Sequence, residues 1–199
     1  MKCSVYPRIY LASQSPRRQE LLRQIGVSFD VLDVSIDETP VEHETPLAYV
    51  RRIAHDKAQG AWEHIMRHEL PATPVLAADT TVALGDLILG KPFDADDACK
   101  MLRSLSGQQH VVMSAVAVAF AGTLELAVSQ TAVTFKMLSA AEISRYAASA
   151  EPYDKAGAYA IQGRAAGFIT RIDGSYSGVM GLPLFETVQL LEKFGVSML

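Results

Sequence analysis

The chain has 199 residues, of which 49% are hydrophobic and 20% charged, and 18 basic against 22 acidic side chains give a formal net charge of −4. This composition excludes collagen-like, disulfide-scaffold and disordered proteins, and a chain of this length can bury roughly 70% of its unfolded surface. The mild acidity also argues against a general nucleic-acid or anionic-membrane binder, because such surfaces attract clustered lysine and arginine.

The N-terminus, the hydropathy and the cysteines favour a cytoplasmic location. Pro7 and Arg8 interrupt the N-terminus before an apolar run of signal-peptide length can form. The longest uncharged apolar stretch, 111–124, is shorter than the roughly 20 residues that span a bilayer. Cys3 and Cys99 are too few and too far apart for a disulfide framework or a zinc site. We therefore expect a protein of the reduced cytoplasm that does not contact membranes.

The predicted elements alternate between strands and helices through the first half of the chain. A hydroxyl residue followed by proline, at Ser15-Pro16 and again at Thr45-Pro46, is typical of a helix N-terminus. Apolar residues at helical spacing follow both pairs, and continuous or alternating apolar runs mark the strands. In chain order these patterns predict a strand over 8–12, a helix over 15–26, a strand over 28–34, a helix from 45 towards 62–66, and a buried strand over 75–78 that leads into 79–82.

The second half of the chain predicts an antiparallel hairpin flanked by helices. Asp94 begins the most regular amphipathic pattern, and Ser139 with Glu142 forms the sequence signature of a capping box. In chain order the patterns predict a helix over 94–107, hairpin strands over 110–121 and 124–135, a helix over 139–148, a loop over 151–163, a strand over 168–173 and a last helix from 183. We predict an α/β fold with a mixed β-sheet and flanking helices, in a single domain over 1–199.

Three motifs with known chemistry are only partly present. The segment 85–91 has the spacing of a phosphate-binding loop, but Pro92 stands where a hydroxyl must bind magnesium. His64 and His68 have the spacing of a helical zinc pair, but the catalytic glutamate is missing and the polar surroundings favour a surface pair. The segment 174–178 has tyrosine where a nucleophile elbow has serine. The sequence therefore predicts neither a P-loop enzyme, nor a zinc protease, nor a serine hydrolase.

Several charged residues stand where charge is costly. Asp79 follows four apolar residues at the expected end of a strand, where α/β sheets bind ligands; a cap for the next turn is the alternative. Lys57 falls on the apolar face of the second helix, which fits either a site or a lysine whose ammonium reaches solvent. Arg17 and Arg18 put two cations at a helix N-terminus, which suits a bound phosphate or carboxylate, or surface pairing with Glu20.

Further polar residues extend this mixed-charge set. Ser13 and Ser15 place hydroxyls beside the same helix N-terminus, while Lys91 and Lys155 are isolated cations near glycines. A structural role for Lys155 fits as well as a role in a site. Together with Glu38, the set offers cations to an oxyanion chain and carboxylates to a divalent metal.

These residues belong to motifs that resemble the Maf-type nucleoside triphosphate pyrophosphatases over nearly the whole chain. The matching segments are 13–18, 37–38, 57–58, 78–80, 90–92, 105–107, 154–163 and 181–184. The resemblance implies hydrolysis of a nucleoside triphosphate between its α and β phosphates, with Mg²⁺ or Mn²⁺, to the monophosphate and pyrophosphate. It also implies a fold similar to that of the inosine triphosphate pyrophosphatases, with two lobes around a central cleft, and is compatible with a homodimer.

The resemblance also assigns roles to individual residues. Asp79 matches the family's catalytic proton acceptor, and Arg17, Thr80 and Gln162 match the subgroup that acts on dTTP and UTP. A sister subgroup that acts on 7-methyl-GTP has tryptophan, glutamine and glutamate at these three positions. We therefore expect pyrimidine triphosphates, modified ones included, as substrates.

The resulting prediction for the site combines the residue chemistry with the resemblance. We expect Asp79, Lys57 and Glu38 to be catalytic and Glu38 and Asp79 to hold the metal, directly or through water. The residues expected to bind the substrate are Ser13, Ser15, Arg17, Arg18, Thr80, Lys91 and Gln162. Two alternatives remain: a nucleotide-binding regulator of cell division without turnover, and a purine house-cleaning pyrophosphatase of the inosine or 7-methyl-GTP type.

Overall fold

A seven-stranded mixed β-sheet forms the centre of the computed structural model, which describes residues 6–196. The strands are β1 (Ile9–Leu11), β2 (Phe29–Val31), β3 (Val75–Leu84), β4 (Leu87–Leu89), β5 (Gln109–Phe120), β6 (Thr123–Phe135) and β7 (Ile169–Asp173). The helices are α1 (Pro16–Gln24), α2 (Pro46–Arg67), α3 (Ala95–Leu105), α4 (Ala140–Ala147), α5 (Tyr176–Met180) and α6 (Leu184–Lys193). The predicted α/β fold with a mixed sheet and flanking helices is confirmed.

The strand order is β2-β1-β3-β5-β6-β7, and β4 pairs with β3 beside this path. β1 is parallel to both β2 and β3, whereas the other pairs are antiparallel. The predicted hairpin is the longest of these ladders and runs from the pair Gln109 and Thr134 to the pair Phe120 and Thr123. Both of its strands extend across the sheet, so the hairpin provides the surface on which several helices pack.

One edge of β3 is covered only at its two ends. β5 pairs along the other edge without a break from Val75 to Ala83. On the open edge, β1 reaches only Leu76 and β4 begins to pair only at Val82. Among residues 6–196, no strand lies beside 77–81 on this edge. The sheet therefore has a notch there, and a ligand can approach the middle of a central strand from the side.

Helices cover both faces of the sheet. α2 packs on one face, where small side chains from helix and strands allow close approach. α1 and α6 cover the opposite face with leucines, and α3 and α4 pack around Phe135 towards the β4 end of β3. The alanines of the cluster around α2 are Ala12, Ala54, Ala58, Ala61, Ala77, Ala115, Ala117 and Ala119. Burial of such apolar surface stabilises the fold by about 25 cal/mol per Å² removed from water.

Helix N-terminal signals agree well with the structure. The Thr45 side chain accepts a hydrogen bond from the backbone N–H of Ala48, and Ser139 with Glu142 forms the predicted capping box. Ser15 occupies the N-cap position of α1, but its side chain makes no capping bond. α2 continues to Arg67 because its apolar stripe extends to a buried Ile65.

Several predicted strand boundaries are wrong because the length of a strand depends on the strand that pairs with it. β3 does not stop before Asp79, because its ladder with β5 continues through that residue; Asp79 lies within the strand. The strand predicted over 28–34 is only β2, because β1, its partner, is equally short. β4 and α5 were not predicted, since each is too short to produce a periodic pattern. The predicted loop over 151–163 contains a 3₁₀ turn at Ala156–Ala158, and a second turn follows at Arg164–Phe168.

The structure also bears on the apolar segments, the cysteines and the histidine pair singled out in the sequence. Within 6–196, no helix is both long and apolar enough to cross a membrane. Cys99 is a free thiol, and Cys3 lies outside the described residues. The imidazole rings of His64 and His68 lie 4.3 Å apart at the end of α2. No group of three or more metal-ligating side chains includes them in the part of the chain that the structure describes.

His110 is a buried histidine in the core around Phe135. Its Nε2 lies 2.8 Å from the Tyr159 hydroxyl, whereas its Nδ1 has no hydrogen-bond partner among the described residues. Burial lowers the pKa of His110 to about 4. The unfolded chain, with an ordinary histidine pKa of 6.5, therefore takes up this proton more readily than the folded chain. The stability that the neutral form contributes is complete above pH 6.5 and is lost as the pH falls towards 4.

We expect His110 to account for about 3 kcal/mol of the fall in unfolding free energy between pH 6.5 and pH 4. Urea denaturation at a series of pH values measures this fall. A His110→Gln variant keeps a hydrogen-bonding partner for Tyr159, and its stability should depend less steeply on pH in this window. An exposed control, His68→Gln, should follow the wild type. Parallel curves for wild type and His110→Gln would contradict the assignment.

Candidate active site

A cleft with a volume of about 630 Å³ opens at the notch beside β3. Its walls come from the N-terminus of α1, the segment 32–38, α2, the segment 88–91 and the segment 154–162. Every residue that was predicted for the site lines this cleft: Ser13, Ser15, Arg17, Arg18, Glu38, Lys57, Asp79, Thr80, Lys91 and Gln162. Lys155 also lines it. The structure thus brings together residues from distant parts of the chain; their roles stay predictions.

Lys57 joins the two acidic residues predicted for catalysis. Its Nζ lies 2.9 Å from Oδ1 of Asp79 and 2.8 Å from Oε1 of Glu38. The side chains of Lys57 and Asp79 are only 14% and 11% exposed. A carboxylate this deeply buried is costly without a compensating charge, and the ammonium of Lys57 provides it. Both alternatives are therefore wrong: Lys57 does not extend its ammonium into solvent, and Asp79 does not cap a turn.

The arrangement of Glu38 and Asp79 limits how they could hold a divalent metal. One oxygen of each carboxylate faces the same point, which the Lys57 ammonium occupies. No cluster of three or more metal-ligating side chains exists within 6–196. Mg²⁺ is commonly bound by one or two carboxylates together with substrate phosphates and water. The pair fits such an ion only when phosphate oxygens complete the coordination and the ammonium of Lys57 moves aside.

The two arginines of α1 have different surroundings. Arg18 is directed inward, and its Nε donates a 2.8 Å hydrogen bond to the carbonyl of Gly181. Its two terminal nitrogens donate to Ser13 Oγ at 3.2 Å and to Thr80 Oγ1 at 3.4 Å, and burial lowers the pKa of Arg18. Arg17 pairs instead with the exposed carboxylate of Asp154 at 3.0 Å. Arg18 thus ties three elements of the cleft together, while Arg17 can exchange one anion for another.

A chain of hydroxyls continues from Arg18 through the sheet. Thr80 Oγ1 lies 2.8 Å from Ser114 Oγ on β5, and Ser114 donates to the carbonyl of Gly178 at 2.6 Å. Gly181 is the C-cap of α5, and its φ of 119° is in a region that glycine adopts most readily. These bonds hold the side chain of Thr80 and the C-terminus of α5 in one orientation.

The 154–162 segment is held against β3 and the loop after β4. A Cβ at Gly157 would lie 2.9 Å from a methyl carbon of Val82, and the φ of Gly157 is 70°, so glycine is needed for this close approach. The N–H of Gly157 donates to the carbonyl of Gly90 at 3.0 Å. Gln162 and Lys91 are exposed, and their side chains make no hydrogen bond to the described residues. Both are therefore available to a ligand in the cleft.

Comparison with known proteins identifies the family of the chain. The family model described as Maf-like protein matches residues 8–194. The chain is 54% identical over 197 residues to a protein of Nitrosomonas europaea named dTTP/UTP pyrophosphatase, with 95% of each chain covered. Proteins with the same name from Ralstonia nicotianae and Chromobacterium violaceum are 53% and 52% identical, over 97% and 94% of this chain and 97% and 95% of theirs. The chain belongs to the Maf family.

The family resemblance predicted from the motifs is thereby confirmed. A solved structure from Vibrio cholerae is 12% identical, with a TM-score of 0.35 over 68% of this chain and 66% of that chain. That similarity is too low to bear on the fold of this Maf protein.

Sequence reasoning missed several polar residues of the Maf cleft. Tyr49 lines the cleft from α2, and its hydroxyl donates to the backbone carbonyl of Glu38 at 3.0 Å. Burial and the nearby carboxylates of Asp79 and Glu38 raise the pKa of Tyr49 to about 12, so the hydroxyl keeps its proton. Asp154, which lines the cleft and pairs with Arg17, was missed although it begins the matching segment 154–163. Ser114, which contacts Thr80 without lining the cleft, was missed as well. Tyr49 and Ser114 do not stand out in the sequence, because a helical tyrosine or a strand serine is ordinary at such positions.

Replacing Arg18 in this Maf protein should lower its stability substantially. An Arg18→Met substitution retains most of the side-chain volume but leaves the Gly181 carbonyl and the hydroxyls of Ser13 and Thr80 without their donor. We expect the free energy of unfolding to fall by about 3 kcal/mol, because buried polar groups lose their hydrogen bonds. Chemical denaturation measures this loss, and the exposed Arg103→Met serves as the control. Equal stabilities of the two variants would show that the Arg18 contacts contribute little.

Proposed function

We propose that the chain hydrolyses dTTP and UTP, together with modified pyrimidine triphosphates, to the nucleoside monophosphate and pyrophosphate. The observation that carries the proposal is the Asp79–Lys57–Glu38 centre inside a cleft whose walls hold arginines, lysines and hydroxyls. Relatives that match nearly the full length of the chain at 52–54% identity are named dTTP/UTP pyrophosphatase, which supports the same reaction.

In the proposed mechanism, Asp79 accepts the proton of the water that attacks the α-phosphorus. Lys57 contacts Oδ1 of Asp79. Oδ2 makes no hydrogen bond to any of the described residues, which leaves it able to accept a proton from water. The buried setting lets Lys57 hold the carboxylate in one orientation, and positioning of this kind accounts for much of catalysis in phosphoryl transfer.

The cations of the cleft bind the triphosphate and neutralise charge on the departing pyrophosphate. Arg17 exchanges its ion pair with Asp154 for phosphate oxygens, since that carboxylate is exposed and easily solvated. Lys91 lines the same cleft, and Ser13 and Ser15 offer hydroxyls beside the N-terminus of α1. Cations held in fixed positions around the leaving group stabilise the negative charge that develops there in the transition state. They do so more effectively than water, which must reorient around that charge.

Mg²⁺ or Mn²⁺, when bound, would supply positive charge to the phosphate oxygens. Glu38 and Asp79 would hold the ion, directly or through water, with Lys57 shifted towards the phosphates. The fit of two carboxylates plus phosphate oxygens supports this assignment.

Three residues, Arg17, Thr80 and Gln162, are the basis for proposing that the enzyme prefers pyrimidine nucleotides. All three match the pyrimidine subgroup rather than the 7-methyl-GTP subgroup of the family. The Gln162 amide offers a donor and an acceptor side by side, as does the edge of uracil or thymine, whereas a carboxylate offers acceptors only. Gln162 also has no competing hydrogen bond to the described residues.

Incubation of the pure protein with a panel of canonical and modified triphosphates, with and without Mg²⁺ or Mn²⁺, tests the reaction. We expect monophosphate and pyrophosphate in equal amounts from dTTP and UTP, and loss of turnover with a chelator. Release of orthophosphate and the diphosphate would contradict the proposed bond cleavage. A preference for inosine or 7-methyl-guanosine triphosphate would contradict the subgroup, and nucleotide binding without any turnover would favour a regulator.

We also propose that 1–199 acts as a single domain in the cytoplasm, without nucleic-acid or membrane partners. The single sheet joins strands from both halves of the chain, and the free thiol of Cys99 is compatible with a reducing compartment. A homodimer is proposed from the family resemblance alone, and sedimentation velocity of the purified protein tests it.

A further inference from the structure

The segment that carries Glu38 has little structure of its own. It connects the end of β2 to the start of α2 and spans 32–45 without a helix or strand. The Glu38 side chain is 53% exposed, and its carboxylate contacts only Lys57 among the described residues. A connection of this length without secondary structure is uncommon in compact domains, where it is either a functional loop or a flexible linker. Something other than the local backbone must therefore keep Glu38 in the cleft.

Two side chains of α2 hold consecutive carbonyl groups of this segment. The Tyr49 hydroxyl donates to the carbonyl of Glu38 at 3.0 Å, and Nη2 of Arg52 donates to the carbonyl of Thr39 at 3.1 Å. Tyr49 and Arg52 lie three residues apart, which places them on the same side of the helix. α2 also carries Lys57, which contacts the Glu38 carboxylate. One helix thus holds both the backbone and the side chain of Glu38.

Arg52 is itself fixed by an ion pair. Its Nε and Nη2 donate to the two carboxylate oxygens of Glu44, both at 2.7 Å. The Glu44 side chain is 9% exposed, and its Oε2 also accepts the N–H of Val41 at 3.1 Å. The guanidinium lies 5.6 Å from the centre of the Tyr49 ring. A two-point ion pair is more rigid than a single contact, so Arg52 is a firm anchor for the backbone at Thr39.

We propose that Tyr49 and Arg52 are positioning residues that keep Glu38 in the cleft beside Asp79 during turnover. The inference rests on the proposed function, because it assigns Glu38 a part in that reaction. Neither side chain contacts Asp79; each acts through the backbone of 38–39. Without them, Glu38 would have to be ordered anew at each turnover, at a cost in conformational entropy.

A double-mutant cycle between Arg52 and Glu38 separates positioning from a general structural role. We expect Arg52→Gln to lower kcat on dTTP by about tenfold and to change KM by less than about threefold. In a Glu38→Gln background, the same substitution should change kcat by less than about twofold, because the residue it positions has lost its charge. Tyr49→Phe should lower kcat by about threefold in the wild-type background and leave it unchanged in the Glu38→Gln background. The adjacent exposed Arg51→Gln is the control and should resemble the wild type.

Equal factors for Arg52→Gln in both backgrounds would overturn the inference, because they would mean that Arg52 acts independently of Glu38. Arg52→Lys, which retains the charge and a single donor nitrogen, should recover part of the lost rate. Amide hydrogen exchange adds a measurement that does not depend on turnover. We expect faster exchange across 37–41 in Arg52→Gln, with the β5–β6 hairpin unchanged.

The two kinds of failure are distinguishable. A wild-type protein that releases no pyrophosphate contradicts the proposed function, and the exchange measurement then decides whether Arg52 holds the segment. Unchanged exchange across 37–41 overturns the inference whether or not the wild type is active. Faster exchange with an undiminished rate also overturns it, because Glu38 would then not need to be held.

Discussion

Asp79→Asn is expected to lower pyrophosphate release from dTTP and UTP by about 10³-fold while changing nucleotide affinity by less than about threefold. Asparagine has the same shape, and its amide oxygen can still accept the hydrogen bond from Lys57 that Asp79 accepts at 2.9 Å. It cannot take a proton from water, and it brings no negative charge to a metal. The loss should therefore fall on kcat. Single-turnover assays measure the rate, and equilibrium binding of a non-hydrolysable dTTP analogue measures affinity.

Asp86→Asn is the matched control for this substitution. Asp86 is exposed in the turn between β3 and β4 and does not line the cleft. Its replacement should leave both quantities at the wild-type value. If Asp79→Asn retained more than about a tenth of the wild-type rate, Asp79 would not be the base, since removal of a general base typically costs at least about 10²-fold.

Lys57→Met is expected to lower kcat by about 10²-fold and the free energy of unfolding by about 3 kcal/mol. The substitution removes the ammonium that contacts both Asp79 and Glu38, at 2.9 and 2.8 Å. Two carboxylates then face each other across an apolar side chain, and that of Asp79 is nearly buried. Repulsion should turn Glu38 outward into solvent and leave Asp79 without a fixed orientation. Steady-state kinetics and urea denaturation on the same samples measure the two effects.

The comparison variant is Lys100→Met, an exposed lysine of α3 outside the cleft, which should affect neither quantity. A second substitution separates the causes of the stability loss. In Lys57→Met with Asp79→Asn, one of the opposed charges is gone, so most of the lost stability should return although activity does not. Failure of the stability to recover would mean that Lys57 contributes by packing rather than by charge compensation.

The predicted fold was largely correct because most of its helices and strands are indicated by residues close together in the sequence. The caps at Thr45 and Ser139, and the long alternating runs of the hairpin, depend on residues close in sequence, and the structure contains all of them. The boundary at Asp79 was wrong because an acidic residue after an apolar run looks like a strand end. The strand continues because β5 pairs with it and Lys57 neutralises its charge, and both partners are distant in sequence.

The candidate site shows the same division. The resemblance of the motifs to the Maf family was enough to predict that Asp79, Lys57, Glu38 and the cations share one cleft, and all of them line it. The motifs contained no sign of a role for Tyr49 or Arg52. Both side chains donate hydrogen bonds to backbone carbonyls of 38–39 and make none to the side chains predicted for catalysis. A hydrogen bond to a carbonyl can be made to any residue type, so it leaves no pattern in the sequence.

Composition and residue spacing predicted the fold class, because local periodicity follows directly from residue identity. The resemblance of the motifs predicted the family, which the comparisons confirm, and implied a list of site residues that stays a prediction. Three-dimensional contacts were needed to learn that Lys57 joins two carboxylates and that Arg18 is bound inward by Gly181, whereas Arg17 is paired with an exposed acid. Lys57 and Asp79 are 22 residues apart, and Arg18 and Gly181 are 163 apart. Which charges meet across such separations depends on how the sheet and helices pack, and the notch beside β3 exists only once β1, β4 and β5 have paired with it.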